Sequence, residues 1–235
     1  MTALLVVRPE PGCTATVAAA RAMGLEAHGF PLFSVVPAAW DAPEPAAIDG
    51  LLIGSANALR HGGPKLARFA GLPVYAVGEA TAEAARAAGH TVFRCGAGGL
   101  QAMLDQVHPR HNRLLRLAGR ERVELNPPAG ITITERVVYA SEPQPIPAAL
   151  AAMLAQPVVI LLHSAEAARH FAAECERLNL PRRTIRLATI GPRVAAAAES
   201  GWAEVAAAPR PADAPLLALA RQMCQEAAGS RGLQD

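Results

Sequence analysis

Residues 77–89 read Val77-Gly-Glu-Ala-Thr-Ala-Glu-Ala-Ala-Arg-Ala-Ala-Gly89. They follow the apolar run Val74-Tyr-Ala-Val77, place a glycine at its end and a threonine three residues later, and continue in alanines to a second glycine. Such a stretch predicts a strand, a tight turn and a helix closed by a left-handed residue. It has an echo, because Gly191-Pro-Arg-Val-Ala-Ala-Ala-Ala-Glu-Ser-Gly201 also follows an apolar run and also goes from glycine to glycine through alanines. Upstream of each copy an apolar run ends near a serine, in Leu51-Leu-Ile-Gly-Ser-Ala-Asn-Ala58 and in Ile160-Leu-Leu-His-Ser-Ala-Glu-Ala167. The serine precedes the glycine by 23 residues in one copy (55 to 78) and by 27 in the other (164 to 191). Two copies at this period suggest two halves of one unit facing each other across a cleft, and do not suggest a solenoid.

Working outward, short apolar runs alternate with alanine-rich segments along most of the 235 residues. Strands are expected at 3–7, 50–53, 74–77, 91–93, 114–117, 158–162, 185–190 and 203–206. Helices are expected at 14–23, 80–88, 100–107, 148–155, 165–178, 194–200 and 214–225. The strand runs are continuously apolar, as strands covered by helices on both faces must be. Alternation of this kind gives an α/β fold with parallel sheets. Two longer extended runs, 25–37 and 131–139, break the rhythm, and each leads into proline-rich sequence, residues 37–45 and 141–147. They suggest two small flavodoxin-like domains, with 37–138 inserted into a domain made of 1–36 and 139–235, joined by two extended strands. Two sequential domains split near residue 142 are the alternative. Residues 228–235 read as a frayed tail.

Composition narrows the function classes. Half the chain is hydrophobic but only 4% is aromatic, so the core must be built from Ala, Val, Leu and Ile. A net charge of +2 argues against nucleic acid as the main partner. Cys13, Cys95, Cys175 and Cys224 form no CxxC pair, which speaks against structural zinc and a disulfide scaffold and fits a reducing, cytoplasmic setting. No apolar stretch approaches the length needed to span a bilayer, and the N-terminal run is too short for a signal peptide.

The repeated elements supply the binding candidates. Ser55 with Ala56 and Asn57, and Ser164 with Ala165, fall where strands give way to helices, and unpaired helix N–H groups there suit carboxylates or phosphates. Gly78 and Gly191 would let a ligand approach the backbone, with Thr81, Pro192 and Arg193 on the following turns. A serine cap and a glycine turn are equally ordinary structural features. Arg8 and Arg116 are expected at strand ends facing the cleft, where guanidinium forks suit carboxylates. Tyr139 closes the second extended run, where a phenol could move a proton or simply pack at a hinge. Other motifs are weaker. Cys95-Gly-Ala-Gly-Gly-Leu100 lacks the third glycine of a dinucleotide fingerprint, and His108-Pro-Arg-His111 has no carboxylate cluster beside it. His163 adjoins Ser164, but neighbouring strand residues point to opposite faces, which makes a base–nucleophile pair poor geometry.

Together Val7-Arg-Pro9, Leu25–Pro31, Leu52-Ile-Gly-Ser-Ala-Asn-Ala58, Val77-Gly-Glu-Ala-Thr-Ala82, Leu115-Arg-Leu-Ala-Gly119, Arg136-Val-Val-Tyr139, the Ser164 segment and Ile190-Gly-Pro192 resemble the uroporphyrinogen-III synthase family in order and spacing. The resemblance implies two small α/β domains, one inserted in the other. It implies cyclisation of linear hydroxymethylbilane without a cofactor, with loss of water and inversion of ring D; a non-catalytic or regulatory two-domain module binding an anionic small molecule is the alternative. It implies a cytoplasmic monomer that takes its substrate from hydroxymethylbilane synthase. Tyr139 then matches the tyrosine proposed to assist departure of the hydroxyl, and Ser55, Thr81 and Ser164 match hydroxyl positions implicated in binding. The chain departs from the pattern at Gly54, where many members carry threonine, and at Arg193-Val194, where a hydroxyl pair is frequent.

Overall fold

The computed structural model describes residues 2–229. The chain divides into two compact units, Met1–Ser34 with Pro143–Asp235, and Val35–Glu142. The first opens with β1 (Ala3–Val6), α1 (Gly12–Ala22) and β2 (Ala27–Gly29). The chain leaves along β3 (Phe33–Pro37) for β4 (Gly50–Ile53), α2 (Ala56–His61), β5 (Val74–Val77), α3 (Glu79–Ala87), β6 (Val92–Gly96), α4 (Gly99–Leu104) and β7 (Arg113–Gly119). It returns along β8 (Thr132–Pro143) to α5 (Ala148–Leu154), β9 (Val158–Leu162), α6 (Ala165–Arg177), β10 (Ile185–Thr189), α7 (Pro192–Ala197), β11 (Glu204–Ala207) and α8 (Asp213–Gly229).

The first unit's sheet has the order β11-β10-β9-β1-β2 and the second's β3-β8-β7-β4-β5-β6. Every pairing in the first is parallel, as are those joining β4 to β5 and β7, β5 to β6, and β7 to β8. Alternation along the strands sorts side chains to two apolar layers. In the first unit Leu5, Ile160 and Leu187 pack with α5, α6 and α7, while Leu4, Val6, Val159 and Leu161 pack with α1 and α8. In the second, Leu51, Ile53, Val74 and Leu115 meet α2 and α3, and Leu52, Tyr75 and Leu114 meet α4. Burial on both faces is why these strands read as unbroken apolar runs.

Gly24, Gly89 and Gly201 carry the left-handed backbone expected of them, with φ of 78°, 82° and 94°. The long extended run at 25–37 resolves differently from its expectation. Only β3 carries the chain onward, and Ala27–Gly29 is an edge strand of the first sheet, paired to β1. The return strand is longer than expected and continues into the first of the proline-rich residues, ending at Pro143. Of the expected frayed tail, Ala228 and Gly229 belong to α8, and 230–235 lie outside the described residues.

Candidate active site

Both sheets contain a point where connections diverge. In the first, β1 leads to β2 on one side and β9 leads to β10 on the other, so the chain parts between β1 and β9. In the second, β4 leads to β5 and β7 leads to β8, so it parts between β4 and β7. Crevices at the carboxyl ends of such strand pairs are where open parallel sheets bind ligands.

At the second unit's crevice lies a concavity of about 160 Å³, walled by Gly54 and Ser55 after β4, Gly119 at the end of β7, Arg116, Arg122 and Tyr139. Gly119 and Tyr139 are register partners, next to an irregularity in the β7–β8 pairing. The tyrosine ring is pressed against the glycine: a Cβ on Gly119 would stand 2.7 Å from two ring carbons and 2.9 Å from the hydroxyl. Glycine is needed here for that close approach. The ring of His61 lies 6.4 Å away, centroid to centroid, and burial pushes the His61 pKa down, with Arg60 adding to the effect. Among the described residues the Tyr139 hydroxyl has no hydrogen-bond partner, so its proton is available to a ligand in the concavity.

Arg116 lines this concavity and is paired with Glu135. Arg116 is 3% exposed. Its Nη1 lies 2.8 Å from Glu135 Oε2, and its Nη2 donates to the Val123 carbonyl at 2.8 Å. Arg122 reaches the other oxygen of Glu135, so one carboxylate joins both guanidinium groups. Burial pulls the Arg116 pKa down and Glu135 opposes it. A pair like this is costly to break, because removing one partner strands the other charge away from water. The expectation that Arg116 ends its strand is corrected. It stands inside β7, and Glu135 and Val123 engage its two terminal nitrogens.

The serines act as helix caps. Ser55 accepts from the Asn57 N–H at 3.3 Å and Ser164 from the Ala167 N–H at 3.1 Å. In the first unit, Arg8 follows β1 and is held by Asp213 at 2.8 Å, beside His163 at the end of β9.

A family model, that of uroporphyrinogen-III synthase HemD, matches residues 14–218. The chain belongs to the uroporphyrinogen-III synthase family. That family comprises the lyase-type cyclases of tetrapyrrole and heme biosynthesis, and the chain is an enzyme of this class. In fold it is similar to a uroporphyrinogen-III synthetase from Helicobacter pylori, with 17% identity, a TM-score of 0.66, and 95% of this chain and 100% of that one covered. A mutant uroporphyrinogen III synthase from Thermus thermophilus gives 14% identity, a TM-score of 0.51, and 96% and 100% coverage. Among curated proteins none matches the chain.

Within this synthase fold the expected residues separate into groups. Ser55 and Tyr139 meet around the second unit's concavity, and Arg116 lines it from its buried position. Ala56 and Asn57 start α2 behind the Ser55 cap. Gly78 caps α3 with φ of 80°, while Gly191 caps α7 with extended backbone, φ 178°, that any residue could adopt. Pro192 and Arg193 are exposed on the first turn of α7, and Ala165 begins α6 behind Ser164. Thr81 is buried at 4% exposure, and its echo Val194 at 5%. The first-turn position read as a ligand hydroxyl is therefore a core position in both copies, since that face of each helix packs on its sheet. Gly119, Glu135 and the His163–Asp213 contact had no signal in the sequence beyond residue type. Gly119 stands in a quoted motif, but only the packed ring reveals why it is glycine.

Proposed function

We propose that this chain closes hydroxymethylbilane to uroporphyrinogen III with Tyr139 assisting loss of the terminal hydroxyl. The supporting observation is the place of the phenol. It lies at the strand ends where the second sheet's connections diverge, its hydroxyl without a partner among the described residues, beside small residues that leave room for a pyrrole substituent. Departure of hydroxide from the hydroxymethyl carbon needs a proton, and a phenol at about 3 Å from the leaving oxygen can provide it. The cation left behind is delocalised over the pyrrole and is reactive without further help. What remains for the protein is to hold the flexible chain in the conformation that attacks through the substituted position of ring D.

Carboxylates of the substrate would be met by backbone N–H groups near Ser55, Gly78, Ser164 and Gly191 and by Arg193, which is exposed. No cofactor or metal is required by this chemistry. Cys13, Cys175 and Cys224 are buried as free thiols, and burial pushes their pKa values up to about 11, 12 and 11. Unpaired cysteines support a cytoplasmic location. Among the described residues no helix is long and apolar enough to cross a membrane. The enzyme works as a monomer in this scheme and receives its labile substrate from hydroxymethylbilane synthase.

The test is isomer analysis. Freshly made hydroxymethylbilane incubated with the purified chain, without added metal or nucleotide, is expected to give the type III product. Formation of the type I isomer alone, the product of spontaneous closure, would rule the assignment out.

A further inference from the structure

Arg8 and His163 stand just beyond the carboxyl ends of β1 and β9, the strand pair at which the first unit's connections diverge. Strand alternation sends both to the face of Leu4, Val6, Val159 and Leu161, the face covered by α1 and α8. There the first residue of α8 supplies a carboxylate. Arg8 Nη1 donates to Asp213 Oδ2 at 2.8 Å, to Oδ1 at 3.1 Å, and to Thr16 Oγ at 3.3 Å. The Thr16 hydroxyl in turn donates to Oδ2 at 3.3 Å. His163 Nε2 comes within 3.3 Å of Oδ1, and its side chain is only 9% exposed. Asp213 is thus the group that meets Nε2, while Nδ1 has no hydrogen-bond partner among the described residues. Burial holds the imidazole neutral, its pKa pushed down to about 4, with the Arg8 charge acting the same way and Asp213 against it.

A buried imidazole with one unpartnered ring nitrogen and a single weak carboxylate contact is incompletely satisfied. Among the described residues the one acidic group in contact is Asp213, which is also more exposed than Arg8, at 46% against 29%. Asp213 is carried on the end of a helix entered through Pro209-Arg-Pro211, so its side chain can leave Arg8 without disturbing a strand. The second unit offers a comparison. There the residue before the capping serine is Gly54 where the first unit has His163, and its crevice is an open concavity.

We propose that the crevice between β1 and β9 is a carboxylate-binding site for which Asp213 is the resident placeholder, displaced from Arg8 by an incoming ligand carboxylate that also accepts the His163 N–H. The site would take one acidic side chain of the substrate, and it rests on the function proposed above only for the identity of that ligand.

Citrate is a suitable probe because it needs no turnover. Titrated into the full chain with ¹⁵N-labelled histidine, it is expected to shift the ring resonances of His163 saturably, the signal being identified by its loss in His163→Gln. Asp213→Asn should tighten the apparent Kd by roughly twofold to fivefold, the equivalent of one partly exposed ion pair. Arg8→Gln should abolish the shift. A His163 signal unmoved by citrate in both wild type and Asp213→Asn would overturn the proposal, as would a shift that survives Arg8→Gln in a folded variant. If Arg8→Gln does not fold, the direction of the Asp213→Asn effect decides alone: weaker or equal binding refutes a placeholder. A failed cyclisation assay would leave these outcomes intact, so the two readings stand or fall separately.

Discussion

Gly119→Ala tests the placement of Tyr139 without removing its hydroxyl. The added methyl would lie 2.7 Å from Tyr139 Cε2 and Cζ and 2.9 Å from Oη. Ordinary carbon contacts are about 3.5–4.0 Å, so the ring must withdraw by about 1 Å. Overpacking of this size costs about 1–3 kcal/mol when the surroundings resist. A displacement of about 1 Å at a reacting group can cost about 10²-fold in rate. The expected result is a kcat for type III formation lowered by about 10²-fold with the protein still folded. The Tm should fall by about 2–4 °C for each kcal/mol lost. Tyr139→Phe, which removes the hydroxyl and leaves the ring, should lower turnover by about 10²–10⁴-fold. The informative case is the double variant. If both changes act through one hydroxyl, Gly119→Ala should add little to Tyr139→Phe. A wild-type kcat in Gly119→Ala, or fully additive losses, would show that the position of the phenol does not govern the reaction.

The remaining predictions concern stability and a local packing exchange. His163 is neutral in the folded chain down to about pH 4 but takes a proton near 6.5 when unfolded. The unfolded state therefore binds the extra proton between those values, and stability falls as pH drops. The loss is about 2 kcal/mol by pH 5 and about 3 kcal/mol by pH 4; urea unfolding of wild type and His163→Gln should show it, and equal pH slopes would refute it. Glu174 is held near a pKa of about 2 by Arg177 first, and it also accepts from the Ile146 N–H at 2.8 Å. Its contribution is present above its unfolded value of about 4.5 and is lost as pH falls toward 2. Glu174→Gln should cost about 1–3 kcal/mol at pH 7 by denaturant unfolding, and a neutral effect would discount the contact. Gly54→Thr places its Cβ 2.8 Å from Leu100 Cδ1, so it should destabilise alone and recover when combined with Leu100→Ala. Additive losses in that pair, read from melting curves, would mean Leu100 is not what fills the space.

The strands and most helices were legible because burial on both faces leaves continuous apolar runs, and alanine-rich helices end in glycine. The doubling was legible too, since strand–serine–helix and strand–glycine–helix recur at nearly the same interval. Boundaries of the extended run at 25–37 were not, because an edge strand and a crossing strand share one local composition. For the site, residue types were informative and roles were not. Thr81 is a hydroxyl near a helix start, but which face of that helix packs on the sheet decided that it is buried. Arg116 looked like a strand-end cation, but Glu135 on the adjacent strand engages its guanidinium.

The sequence by itself determined the α/β alternation, the repeated unit and the candidates Ser55 and Tyr139, because propensity, periodicity and capping act over a few residues. Only the tertiary structure decided which candidates share a crevice. Tyr139 meets Gly119 through parallel strand pairing, and Arg8 meets Asp213 across 205 positions of chain. Contacts of that range are set by sheet order and register, which no local pattern encodes. The same long-range closure determines which charges are already neutralised and which groups remain available to a ligand.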